Sequence, residues 1–285
     1  MEVDPAALRA LAYFLREREA VRLRKEAGEP PPWTDDEILR EWRFCCVDRR
    51  DDRVTRWVRR AISEPRAGHP ALWLNLAAAR LVCWPPTLEE IGFLEGWDEA
   101  AAEKFVGFLE ARAAAGSKVY TGAYVVPAGP AGGRKSRFLA TALGDLWAHR
   151  AEAPQTGATC AAWAQFLMSA DGVGPFIANQ VVADLRDTRY LAGASDWETF
   201  LLAGPGALRG LDRVFGRKTG STKQLEAQAA ALQVRAELLA FAPEFAGKMR
   251  DLNNVGNALC EFDKYVRVLL GEGTPRARYA PTTEF

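Results

Sequence analysis

Two short mixed-charge clusters set among aromatic residues hold the groups best suited to chemistry. One is Trp42-Arg-Phe44-Cys-Cys46-Val-Asp48-Arg49-Arg-Asp-Asp52-Arg53, and the other is Leu259-Cys260-Glu261-Phe262-Asp263-Lys264-Tyr265. A guanidinium holds two oxygens of a phosphate at once, and a carboxylate beside it can take a proton from an amine. Arg49 stands three and four residues before Asp52 and Arg53, and Glu261 stands three before Lys264, so each set shares one face of a helix or its approach. The candidate catalytic residues are therefore Arg49, Asp52, Arg53, Glu261, Asp263 and Lys264. Each set can instead pair internally as a solvated salt bridge, the commoner fate of such charges.

A third stretch points to phosphate binding. Phe166-Leu-Met-Ser-Ala-Asp-Gly172-Val173-Gly174-Pro175-Phe176-Ile-Ala178 has the pattern of a helix-hairpin-helix. Its glycines permit close backbone approach, and their amides lie at the N-terminus of the next helix, where the dipole favours an anion. Such a hairpin grips duplex backbone without reading bases. Gly172, Val173, Gly174 and Phe176 are the DNA-binding candidates, joined by Lys135 and Arg209. Gly129-Pro-Ala-Gly-Gly-Arg-Lys135-Ser136 imitates a nucleotide loop, but Arg134 takes the place of the second glycine and Pro130 removes an amide. No ATP binding is expected of it, and Lys135 is read as facing nucleic acid or pyrophosphate.

Composition narrows the class. The 285 residues are 48% hydrophobic and 26% charged, with fourteen Phe, nine Trp and six Tyr, which excludes intrinsic disorder. Net charge is zero, so there is no global basic field, although eight Arg face four acids between Arg40 and Arg60. The absence of an apolar stretch near 18 residues implies no transmembrane helix and no membrane partner. The N-terminus reads as an amphipathic helix rather than a signal peptide, and a cytoplasmic protein is expected. Five cysteines without a CxxC pair and two scattered histidines predict reduced thiols, no disulfide, no metal site and no cofactor.

These residues must be positioned by helices, because the hydrophobic period is helical almost throughout. The pattern predicts helices at Ala6–Ala27, from a Thr34 cap through Phe44, and from Asp52 through Ile62. Others fall at Pro70–Cys83, Leu88–Gly96 with a Thr87 cap, Glu99–Ala115 with an Asp98 cap, and Lys135–Arg150. The remainder are Thr159–Ser169, Pro175–Asp187, Asp196–Leu202, Gly206–Phe215, Thr222–Leu239 and Val255–Leu270. Lys118–Pro127 is the one β-like segment. The expected fold is mostly α, helix-hairpin-helix and DNA-glycosylase-like, with at most a small β-hairpin, divided into lobes at 1–150 and 151–285.

The hairpin resembles that of the helix-hairpin-helix DNA glycosylases. Those enzymes carry a catalytic Asp before the next helix, whereas Leu201–Gly210 has no acid there, which argues against base excision. Asp196 and Asp212 flank this stretch and read as a helix cap and a helix-surface residue. The Trp42–Thr55 and Leu259–Tyr265 segments, with Tyr120-Thr-Gly-Ala-Tyr124 and Gly204–Gly210 in order between them, resemble phage thymine-hypermodification proteins. These are the α-glutamyl/putrescinyl-thymine pyrophosphorylases, or amino acid:DNA transferases, and a related helical domain accompanies the 5-hydroxymethyluracil DNA kinases. Cys46 and Asp48 depart from that pattern, which has Asn and an aromatic residue. The resemblance implies transfer of an amino acid, glycine or similar, onto pyrophosphorylated 5-hydroxymethyluracil with release of pyrophosphate. On that reaction Arg49 and Arg53 hold the leaving group, and Asp52 orients them or contacts the amine. Glu261 or Asp263 takes the proton, and Lys264 grips the amino acid's carboxylate. Implied partners are double-stranded DNA containing modified thymine, a free amino acid and other hypermodification enzymes, in the cytoplasm of an infected bacterium. The alternatives are the helical partner of a 5-hydroxymethyluracil kinase and a noncatalytic hairpin module.

Overall fold

The structure, a computed structural model, describes residues 2–122, 129, 134–275 and 277–279. The chain opens with α1 (Pro5–Glu26), whose first amides at Ala6 and Ala7 are accepted by the Asp4 carboxylate. The next helix, α2 (Glu37–Glu41), is one turn long and is capped by Asp36, not Thr34. The Thr34 hydroxyl instead accepts from the Asp36 amide and donates to Glu17. From Trp42 the backbone is extended, so the expected continuation through Phe44 does not form. Its polar groups are claimed from elsewhere: Arg43 N–H donates to Ala277 O, and Trp42 bridges Arg278.

Next come α3 (Arg53–Val58), a wide π turn over Arg59–Ser63, and α4 (Leu72–Val82), buried along its whole length. α5 (Pro85–Ile91) starts on its prolines, and Thr87 is not its cap; the buried Thr87 hydroxyl donates to Val119 O. α6 (Glu99–Ala114) is capped by Asp98 as expected. α7 (Lys135–Ala148), α8 (Cys160–Leu167) and α9 (Pro175–Leu185) follow. No helix forms at 196–202, because the Asp196 carboxylate is committed to the Cys160 and Ala161 amides at the start of α8. The chain ends through α10 (Pro205–Val214), α11 (Gln224–Phe241) and α12 (Leu252–Leu269). The protein is mostly α, with twelve α-helices and no strand among the described residues. The β-like reading at 118–127 and the glycine-rich stretch at 128–133 fall largely outside them.

The chain divides into two compact units, residues 1–52 with 198–285, and residues 53–197, rather than at 150. The reason is that α1 packs on α10, α11 and α12, which are distant in sequence. In the first unit Phe14, Phe44, Phe262 and Tyr265 form an aromatic centre with ring separations of 5.2–6.3 Å. α10 and α12 pack there with almost no side chain between them: a Cβ on Gly206 would strike Cys260, and one on Gly210 would strike the Leu259 carbonyl. In the second unit Trp73, Trp163, Phe166 and Tyr190 form the aromatic centre. Arg80 there makes a buried pair with Asp184 at 2.5 Å and donates to Thr55.

Candidate functional site

Asn254, Asn257, Glu261 and Lys264 recur at intervals of three, four and three along α12, so they form one polar stripe. The extended chain at 44–46 and the bend that leads into a short 3-10 helix at Arg49–Asp51 lie against that stripe. Asn254 Oδ1 accepts from Arg49 N–H at 3.2 Å, and Asn257 Nδ2 donates to Cys46 O at 3.0 Å. The Glu261 carboxylate accepts from Cys45 N–H at 2.7 Å and pairs with Lys264 at 2.6 Å. The Lys264 ammonium in turn sits 4.8 Å from the Phe44 ring centre. Four side chains thus hold a peptide that is neither helix nor sheet until the 3-10 turn begins at Arg49. Neither asparagine was a candidate from the sequence, although the spacing of polar residues on an apolar helix was a visible signal.

The segment's charges are set by the same packing. Buried Asp48 accepts from the Arg50 amide and guanidinium and from Asn254 Nδ2. Burial alone would raise its carboxyl, but the Arg50 hydrogen bonds outweigh that and hold it below the ordinary value. Asp51 lies 3.4 Å from Arg22 and 3.6 Å from Lys248, both of which also bind Glu19. Glu19 is likewise held low: burial would raise it, but Arg22 and Lys248 prevail. Arg49 and Asp52 are half-buried beside this cluster in the first unit, whereas Arg53 is exposed and opens the second.

The second sequence cluster splits. Successive helical residues turn by about 100°, so Glu261 and Asp263 leave α12 in nearly opposite directions. Asp263 is fully buried and meets three guanidiniums: Arg209 at 2.8 Å, Arg267 at 3.4 Å and Arg213 at 3.5 Å. It is enclosed by these guanidiniums as an internal anchor, on the side of α12 away from Glu261, whereas the sequence reading expects it in the site. Arg209, expected on DNA, has its Nε committed to that anchor. Asp212 is not a helix-surface residue either, being fully buried and accepting from the amides of Gly220, Ser221 and Thr222 and from the Thr222 hydroxyl.

In the second unit a turn over residues 168–174 joins α8 to α9. Gly172 has φ +87°, and a Cβ there would strike the Phe138 ring. Val173 is buried and its N–H donates to Ala170 O, so its side chain and its amide are both spent within the turn. Gly174 is extended, at the N-cap of α9, with open space where a side chain would stand. Phe176 is 45% exposed on the first turn of that helix. Lys135 lies 3.9 Å from the Tyr120 ring centre, and burial lowers its ammonium below the ordinary value. No helix among the described residues is long and apolar enough to cross a membrane.

Comparison with known proteins bears on both units. The family described as "5-hmdU DNA kinase, helical domain" matches residues 6–274. A 5-hmdU DNA kinase of Bacillus phage SP10 is 29% identical over 234 residues, a match covering 71% of this chain and 36% of the relative. The chain thus spans about a third of the length of that curated relative. No solved structure matches.

Proposed function

The chain belongs to the 5-hmdU DNA kinase helical-domain family, and from that premise we propose that it acts on 5-hydroxymethyluracil-derived bases of phage DNA by transferring an amino acid to them. The observation that carries the reading is the α12 stripe, which holds the 44–49 peptide inside the family match, with Glu261 and Lys264 at Phe44–Cys45 and Asn254 at Arg49. In the proposed step the amine forms a C–N bond at the base's exocyclic methylene while the C–O bond to pyrophosphate breaks. The Arg49 guanidinium stabilises the departing pyrophosphate, because a planar fork matches two phosphate oxygens. Asp52 takes the amine's proton. Glu261, already holding Cys45 N–H, positions Lys264 for the amino acid's carboxylate. Arg53, Gly174 and Phe176 are assigned to the DNA backbone, the first by charge and the others through the hairpin.

The test is incubation with duplex DNA carrying pyrophosphorylated 5-hydroxymethyluracil and a mixture of amino acids, followed by nucleoside mass spectrometry. An aminoacyl-type adduct that depends on Arg49 is the expected result, and its absence overturns transfer. A second reading rests on the family match, described as a kinase's helical domain: the chain serves as the DNA-gripping helical partner of a kinase. It predicts no adduct, but phosphate transfer from ATP to 5-hydroxymethyluracil DNA only when that kinase is added.

A further inference from the structure

A cavity of about 220 Å³ opens in the second unit between α3, the π turn, α4, α5 and the 92–94 loop. Drug-sized ligands occupy roughly 300–1,000 Å³, so this space suits a single ring. Trp57 and Phe93 supply aromatic faces, and Ala61 and Ile62 come from the π turn, whose extra residue widens the helix at this wall. Phe93 is held in place by His69, edge-on at 4.9 Å, and by Arg66 at 5.3 Å. Asn75 is wall rather than recognition group, since its amide already serves Ala71 O, Leu94 O and Leu94 N–H. The polar group at the rim is the Glu89 carboxylate, oriented by the Trp57 indole N–H at 3.0 Å, with a second oxygen for an incoming N–H donor.

We propose that this cavity receives one pyrimidine ring extruded from DNA, stacked on Trp57 and Phe93, with a ring N–H donating to Glu89. The inference rests on the DNA-modification reading and concerns the second unit alone. Shape decides against a small free amino acid: two aromatic faces suit a flat ring. Charge favours a base still joined to phosphate. Arg53 stands one turn ahead of Trp57 on the same stripe, and Arg60 follows three residues later, both exposed. Extrusion followed by stacking between apolar side chains is how proteins reach atoms hidden inside a duplex.

A duplex with one 5-hydroxymethyluracil beside 2-aminopurine reports the event, because 2-aminopurine brightens when its neighbour leaves the stack. The full chain should raise that fluorescence. Ala61→Phe, which fills the cavity from an exposed position, should abolish the rise while anisotropy shows DNA still bound. Trp57→Ala should weaken the rise about tenfold, the size of one lost base–aromatic stack, and Trp57→Phe should retain most of it. DNA binding without any rise, or a rise untouched by Ala61→Phe, overturns the cavity assignment and leaves the DNA reading standing. Failure to bind DNA at all overturns the DNA reading instead. The cavity is then judged by the Trp57 indole N–H resonance, which must shift with millimolar 5-hydroxymethyl-2′-deoxyuridine or the assignment falls.

Discussion

Glu261 serves two masters, the Cys45 amide and the Lys264 ammonium. Glu261→Gln keeps an acceptor for the amide and removes the charge partner, so it should cost only about 1–3 kcal/mol of stability by urea unfolding. Transfer should fall far more, with DNA affinity retained; a variant that transfers at the wild-type rate makes the pair purely structural. Asp48 and Glu19 make a separate prediction about acid. Both carboxyls sit below their ordinary values when folded, so the stability they add is fully present above about pH 5 and drains away as pH falls through the folded values. Asp48→Asn should therefore be weaker than wild type at pH 7 and lose less on going to pH 4, as urea midpoints at both pH values will show. The charged residues themselves were legible in the sequence, but adjacency along the chain hides their directions, because helical rotation separates Glu261 from Asp263. Asn254 and Asn257 escaped notice because they serve a backbone some 200 residues away, and no local pattern announces such a partner.

At the scale of elements, glycine has two different uses in this chain. Gly210 sits where α10 meets the Leu259 carbonyl, so Gly210→Ala should cost about 1–3 kcal/mol through overpacking. Gly174 has open space and extended backbone, so Gly174→Val should leave the unfolding midpoint nearly unchanged. If the hairpin grips phosphate, that same variant should weaken DNA binding equally for all sequences in an anisotropy titration. Most helices were legible because caps and prolines mark them: Asp98, Thr159 and Pro175 all stand where the pattern puts a start. The failures share one cause. At 42–44, at 196–202 and at Thr87, local helix or cap signals were overridden by side chains and backbone groups that found partners far along the chain.

Across the whole molecule, the sequence order misleads about the units because α1 and α12 belong together while 53–197 intervenes. Residues 53–197 contain their own aromatic centre and the buried Arg80–Asp184 pair. A fragment of residues 53–197 should therefore unfold cooperatively with helical circular dichroism, whereas a fragment ending at 150 should not. The latter takes α1 without α10, α11 and α12, and cuts α9 from α4. Cooperative melting of residues 1–150 would overturn this division.

The grip of α12 on the 44–49 peptide has a consequence in deuterium. Amides in extended chain or at the first residue of a helix ordinarily exchange with solvent quickly, yet those of Cys45 and Arg49 are bonded to a carboxylate and a carboxamide. They should form a small island of slow exchange in an otherwise irregular stretch. Asn254→Ala should release the Arg49 amide and leave the Cys45 amide slow, so the two bonds can be timed one at a time.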